Sequence, residues 1–246
     1  MTSPFERLRT DFGTAMAGAG LGLPAANRLC VACVDLLEVD GAAISLMYLG
    51  ATQGTFGSSG ALSRRLDEFQ FTFGEGPCLD AVAAGRPVLV ADIGNPNERR
   101  WPTYAAAVLA AQIRAVFALP IAVAATPVGV LDLFRHLPGP LSLDGLVGGM
   151  LAAELAALLL LDVMTQDVNW AAAHGNTGWS ALASLERVEV YQATGMLIEQ
   201  LDVSGADALV RLRAHAFVSG QTVSEVAWAI LERRLRLDAD EPRADG

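Results

Sequence analysis

Two groups of residues in this chain have types and spacings that could carry chemistry. Cys78 follows Pro77, a favoured first helical residue, so its thiol is expected at a helix N-terminus, where a thiolate is stabilised. A nucleophile or redox switch is the chemistry of such a thiol. Glu75 and Asp80 beside it oppose ionisation, and the plainer reading is a small apolar side chain in a core. Cys30-Val-Ala-Cys33 has the spacing of a redox or metal pair, yet it lies among apolar residues at helical spacing, as a buried structural cysteine would. His136, His174 and His215 are too scattered to complete a four-ligand zinc set with the three cysteines. No catalytic residue and no metal site are expected, and no cofactor is identified. Asp92, Arg100, Trp101 and Tyr104 supply polar groups and rings of the kind that line a ligand pocket, or that anchor a long loop. The second group lies near the C-terminus. Between Leu209 and Arg236, five arginines stand against Glu225 and Glu232, a local charge of +3 in a chain whose net charge is −10.

The elements that must position these groups follow from periodicity. A helix is expected over 24–39, with Leu29, Cys30, Cys33, Leu36 and Leu37 on one face. Strands follow at 41–50 and 52–57, a polar helix at 62–69, a strand at 86–92 and a helix at 102–111. Strands at 115–123 and 127–134 read as a hairpin, and a long helix runs over 142–164. This order describes an α+β domain, an antiparallel sheet with helices packed on it. Gly175 to Gly178 break the pattern, and everything after Ser180 is helical. The first of these helices spans 181–201, the second is capped by Ser204, and the third begins with the capping box Thr222-Val-Ser-Glu225. The expected division is therefore an N-terminal segment 1–23, a sensor-like domain 24–164, a linker 165–179, a three-helix module 180–237 and a tail 238–246.

Composition narrows the class. The chain has 246 residues, is 52% hydrophobic and 18% charged, and every basic residue among its Lys and Arg positions is Arg. It has enough apolar material for buried cores, and its acidity excludes a protein that coats nucleic acid nonspecifically. The apolar run 146–164 contains Glu154 and Asp162, so a buried or dimer-forming helix is expected there in place of a membrane span. Leu151, Leu155, Leu158 and Leu159 are its expected dimer seam. Few cysteines, no signal-peptide pattern and no membrane span fit a cytoplasmic protein.

Val190-Tyr-Gln-Ala-Thr-Gly-Met-Leu-Ile-Glu-Gln-Leu201, Ala206-Asp-Ala-Leu-Val-Arg-Leu-Arg-Ala-His-Ala-Phe217 and Thr222-Val-Ser-Glu-Val-Ala227 together resemble the ANTAR family of RNA-binding transcription antiterminators. The resemblance implies dimers that bind paired stem-loops in nascent transcripts and keep a terminator from forming. The RNA-facing candidates are Tyr191, Gln192, Thr194, Gly195, Arg211, Arg213, His215, Thr222, Arg233 and Arg234. Many relatives carry Lys where this chain has Thr194, which removes one phosphate contact. Gly195 has two readings, close approach of RNA or tight helix packing. The front of the chain resembles a GAF domain through Phe73-Gly-Glu-Gly-Pro-Cys-Leu-Asp80, Pro87-Val-Leu-Val-Ala-Asp92, Arg100-Trp-Pro-Thr-Tyr104 and Gly129-Val-Leu-Asp-Leu-Phe134. This implies a cleft for a small ligand, with Cys78, Asp92, Arg100, Trp101 and Tyr104 as its candidates, and leaves the ligand unnamed.

The reading is a non-enzymatic regulator that senses a signal at the front and binds stem-loop RNA at the back, as a homodimer. Three rivals stay open at this level. A DNA-binding regulator fits a compact three-helix tail, although Glu225, Trp228 and Glu232 suit a major groove poorly. A cysteine-dependent reductase, which one GAF-fold group is, needs Cys78 on a pocket with a resolving cysteine in reach. A protein-interaction module needs no nucleic acid.

Overall fold

A computed structural model describes residues 3–48, 51–124, 126–174 and 187–237. The chain forms two compact units that divide between residues 186 and 187. In the first unit, α1 (Pro4–Met16) and α2 (Gly22–Leu36) precede the strands β1 (Gly41–Tyr48) and β2 (Ala51–Ser58). Then come α3 (Ala61–Phe73), α4 (Pro77–Ala84), β3 (Val88–Val90), α5 (Pro102–Ala110), β4 (Ala115–Val123), β5 (Thr126–Arg135) and α6 (Leu143–His174).

The five strands make one sheet in the order β2-β1-β5-β4-β3, every neighbour antiparallel. Helices cover both faces, so alternate residues of the central strands enter two separate cores. Phe117, Leu119 and Ile121 of β4 and Leu131 and Leu133 of β5 pack with α1, α2 and α6. Val116, Ala118, Val130 and Phe134 pack on the opposite side with residues of α3, α4 and α5.

Two features differ from the expected elements. The segment expected to precede the first helix is itself helical. Ser3 and Glu6 form a capping box, Pro4 occupies the first turn, and Phe12 is fully buried. The long helix α6 continues to His174, through the first part of the stretch expected to be a linker, while residues 175–179 lie outside those described.

The expected dimer seam is also corrected. Leu151 is buried in the core, and Leu155 and Leu159 pack against it from its edge. Of the four, Leu158 points outward, 63% exposed, and the other large apolar residues exposed on α6 are Leu143, Met150 and Leu161. Among the described residues, α6 is the one helix long and apolar enough to cross a membrane, and 44% of its apolar window is buried in the protein.

The second unit contains α7 (Val188–Leu201), α8 (Gly205–Ser219) and α9 (Val223–Leu231). Ser204 accepts from the Asp207 N–H at 3.1 Å to start α8, and Gly220 in the left-handed conformation ends it. Thr222 and Glu225 form the capping box of α9. The unit's core is Val190, Ala193, Leu197, Ala208, Leu212, Ala216, Val223, Val226, Ala227 and Ile230, one stripe from each helix.

Candidate functional site

The first unit holds a group of polar side chains inside the core between the sheet and α3, α4 and α5. Register explains how they meet. Ser45 lies opposite Val130 and Ala43 opposite Asp132 across β1 and β5, so Ser45 and Asp132 are diagonal neighbours on one face. Thr55 faces Ser45 from β2, and α3 lowers Asp67 and Gln70 onto the same surface. Ser45, Asp67, Gln70, Cys78, Tyr104 and Asp132 are all fully buried.

Their bonding is unequal. Asp67 accepts from the Ser45 hydroxyl on one oxygen and from the Thr55 hydroxyl, at 2.5 Å, on the other. Gln70 donates its amide N–H to Asp132 Oδ2 at 2.9 Å, and its carbonyl accepts the Cys78 backbone N–H at 2.8 Å. Gly76 makes this bridge possible, because a Cβ there would collide with the Gln70 side chain. Asp132 Oδ1 and the Tyr104 hydroxyl, both buried, have no hydrogen-bond partner among the described residues. Burial, then the charge of Asp67, pushes the Asp132 carboxyl well above its ordinary range, against the opposing bond from Gln70. Burial, then Asp132, raises the Tyr104 hydroxyl in the same way.

These surroundings decide the state of Cys78. Burial, then the charges of Asp132 and Asp67, pushes its thiol up, so the helix N-terminus does not yield a thiolate. Cys30 and Cys33 lie in the core on the opposite side of the sheet, and burial pushes Cys33 up to about 12. A buried neutral thiol in one core, with the other two in the second, is the reverse of what a cysteine-dependent reductase needs. A thiol reagent at neutral pH is therefore expected to label none of the three cysteines in the native chain and all three in denaturant. Fast labelling of native Cys78 would restore the nucleophile reading.

The expected ligand residues separate. Cys78, Trp101 and Tyr104 share the buried core. Asp92 is a structural anchor, accepting from Arg114 Nε at 3.0 Å, from Arg114 Nη2 at 2.8 Å and from the Gly94 N–H at 3.0 Å. Arg100 is exposed, bonds Glu98 through Nε at 2.9 Å, and lies over the Trp101 ring at 4.1 Å. Glu75 accepts the N–H groups of Thr103 and Tyr104, at 2.6 and 2.8 Å, and so caps α5 from a neighbouring loop. Asp67, Gln70, Ser45 and Asp132 were missed at the sequence level. The one available signal was a charged residue, Asp132, inside an otherwise apolar strand.

In the second unit, Tyr191, Gln192 and Gly195 are exposed on α7. Among the described residues nothing lies within 4 Å of where a Gly195 Cβ would stand, so packing between the helices of this unit does not account for this glycine. Thr194 is half-buried and donates its hydroxyl to the Val190 carbonyl at 2.7 Å. Arg211, Arg213 and His215 are half-buried, whereas Arg233 and Arg234 are exposed. Thr222 is corrected as an RNA-facing candidate. It is buried, its hydroxyl accepts the Glu225 N–H at 3.2 Å, and its own N–H donates to Glu225 Oε2 at 2.7 Å.

Residues 25–160 match the GAF domain family, and residues 181–231 match the ANTAR domain family. The chain belongs to the GAF and ANTAR domain family of regulators. Both matched domains are regulatory in kind, one for sensing signals and one for RNA-binding antitermination. The first unit is similar in fold to the GAF domain of an Acinetobacter phosphoenolpyruvate-protein phosphotransferase, with TM-score 0.53, 11% identity, and coverage of 67% of this chain and 98% of that one. It is also similar to the GAF domain of a phosphoenolpyruvate-protein phosphotransferase from Coxiella burnetii, with TM-score 0.52, 14% identity, and coverage of 66% and 96%. At these identities the likeness shows the fold alone. No curated protein matches the chain.

Proposed function

We propose that the chain is a signal-responsive RNA-binding regulator of transcription antitermination. Its C-terminal unit binds stem-loops in nascent transcripts. Its GAF domain takes up a small molecule at the sheet face where Asp132 and Tyr104 keep unpartnered polar atoms. It works as a cytoplasmic homodimer, with Met150, Leu158 and Leu161 of α6 as the apolar seam between copies.

The observation that carries the reading is the open backbone at Gly195 within the ANTAR match, on a unit that also exposes Tyr191, Gln192, Arg233 and Arg234. An RNA reader needs close approach, a stacking surface and a local basic patch more than overall positive charge. The deciding experiment is cross-linking and recovery of transcripts with the intact chain, in its dimeric and monomeric fractions. Enrichment of stem-loop RNA, reduced in an Arg233→Ala variant, is the expected result. Recovery of duplex DNA with equal affinity, or of no nucleic acid in either fraction, removes the reading.

A further inference from the structure

The helix α9 buries Val223, Val226, Ala227, Ala229 and Ile230 and leaves Trp228 52% exposed. Core packing does not explain an indole in that position. Its flank is defined by bonds at both ends of the unit. Arg187 Nη1 donates to Ser224 Oγ at 3.3 Å where α7 and α9 begin, and Gln200 Nε2 donates to the Leu237 carbonyl beyond their ends. The two helices therefore run side by side in the same direction. Trp228 follows Ser224 by one turn, so its ring stands on the flank of α9 that borders α7.

The charges around the ring favour a polyanion. Glu225 is engaged in the capping box, and Glu232 accepts from Arg234 Nε at 2.6 Å, so both neighbouring carboxylates are compensated within the unit. Arg233, Arg234 and Arg236 follow directly and are exposed. On α9 the indole is bordered by Ser224, Glu225, Leu231 and Glu232, three of them polar, which is not the contiguous apolar surface that the core of a protein–protein contact needs. An exposed ring beside guanidinium groups suits single-stranded nucleic acid, because a π face stacks any base while cations hold the adjoining phosphates.

We infer that Trp228 is a base-stacking platform that receives a splayed-out loop nucleotide of the bound RNA, with Arg233 holding a phosphate beside it. This rests on the RNA-binding function proposed above. The test uses the full chain and the stem-loop recovered in the cross-linking experiment, with affinity read by fluorescence anisotropy at several salt concentrations. Trp228→Ala weakens binding about tenfold with an unchanged salt slope, and Trp228→Phe stays within about threefold of the native chain. Arg233→Ala reduces the salt slope by about one. When each loop nucleotide in turn is replaced by an abasic one, one position costs the native chain about tenfold and costs Trp228→Ala nothing further.

Native affinity in Trp228→Ala overturns the assignment. So does an equal loss in Trp228→Phe, additive abasic effects at every position, or a loss that follows a change in oligomeric state and marks a protein contact. Failure to recover any stem-loop RNA with the intact chain defeats the RNA-binding function itself, whereas recovered RNA that Trp228→Ala binds normally removes the stacking role alone.

Discussion

Asp132→Asn is expected to raise the stability of the GAF domain at neutral pH and to flatten its dependence on pH. Asp132 is fully buried on β5 with a single donor, Gln70, and one oxygen without a partner. The titratable groups whose fields reach it come from each helix packed on that face: Asp67 from α3, Cys78 from α4 and Tyr104 from α5. None of the three is a cation. Burial and the Asp67 charge hold its folded-state pKa well above the ordinary 3.8. The folded chain thus keeps the proton to higher pH than the unfolded chain. The stability this contributes is complete below the ordinary value and is lost as pH rises through the folded value.

Asparagine has nearly the same shape, keeps an acceptor for Gln70 and cannot ionise. The expected gain at pH 7.5 is about 1–3 kcal/mol, because a neutral amide replaces a carboxyl whose ionisation in the core no cation compensates. For a domain of this size that is about 2–4 °C in Tm per kcal/mol. Urea unfolding between pH 4 and 8 measures it. A variant that is less stable than the native chain, with the same pH slope, would mean that Asp132 is ionised and compensated. The experiment also bears on sensing. A small molecule that donates to Asp132 Oδ1 stabilises the native chain in proportion to its occupancy, and gives the Asn variant less.

Local signals were legible in the sequence, and long-range ones were not. The Thr222 and Glu225 capping box and the Ser204 cap were readable because each depends on residues three apart. The same logic, applied to Ser3 and Glu6, reveals α1 within the N-terminal segment 1–23. The apolar runs of β4 and β5 were also readable as strands, since a sheet covered on both faces buries both sets of side chains.

The polar group around Asp132 was invisible because its members are far apart in the chain. Ser45 and Asp67 are separated by 22 residues, and Gln70 and Asp132 by 62. Only the pairing of β1 with β5, and the seating of α3 across them, brings them together. The seam on α6 was misassigned for a related reason. Its leucines cover so much of the helix circumference that the side facing the sheet cannot be chosen until β4 and β5 are in place. Thr222 was placed at the RNA surface by its motif, although its cap role, readable from the same residues, buries it.

Leu212→Ala is expected to unfold the C-terminal unit at 37 °C and abolish stem-loop binding while the GAF domain melts as before. Among the described residues the unit's core has two fully buried leucines, Leu197 and Leu212, and otherwise depends on Leu237 and on valine, isoleucine and alanine. Truncating a buried leucine costs about 2–5 kcal/mol. A single core in a domain of this size rarely supplies more than about 3–5 kcal/mol, so one substitution consumes nearly all of it. Among the described residues, the GAF domain has two cores of its own. Calorimetry and helical circular dichroism of the full chain should show loss of the transition that belongs to the small unit, and affinity for RNA should fall more than a hundredfold. Leu212→Met, which conserves volume at a cost below about 1.5 kcal/mol, should retain both. Survival of the unit in the Ala variant would mean that it draws stability from outside itself. Because a second copy is the source the proposed dimer offers, the melting temperature would then rise with protein concentration. Folding of the C-terminal unit and association of two copies would in that case be one equilibrium.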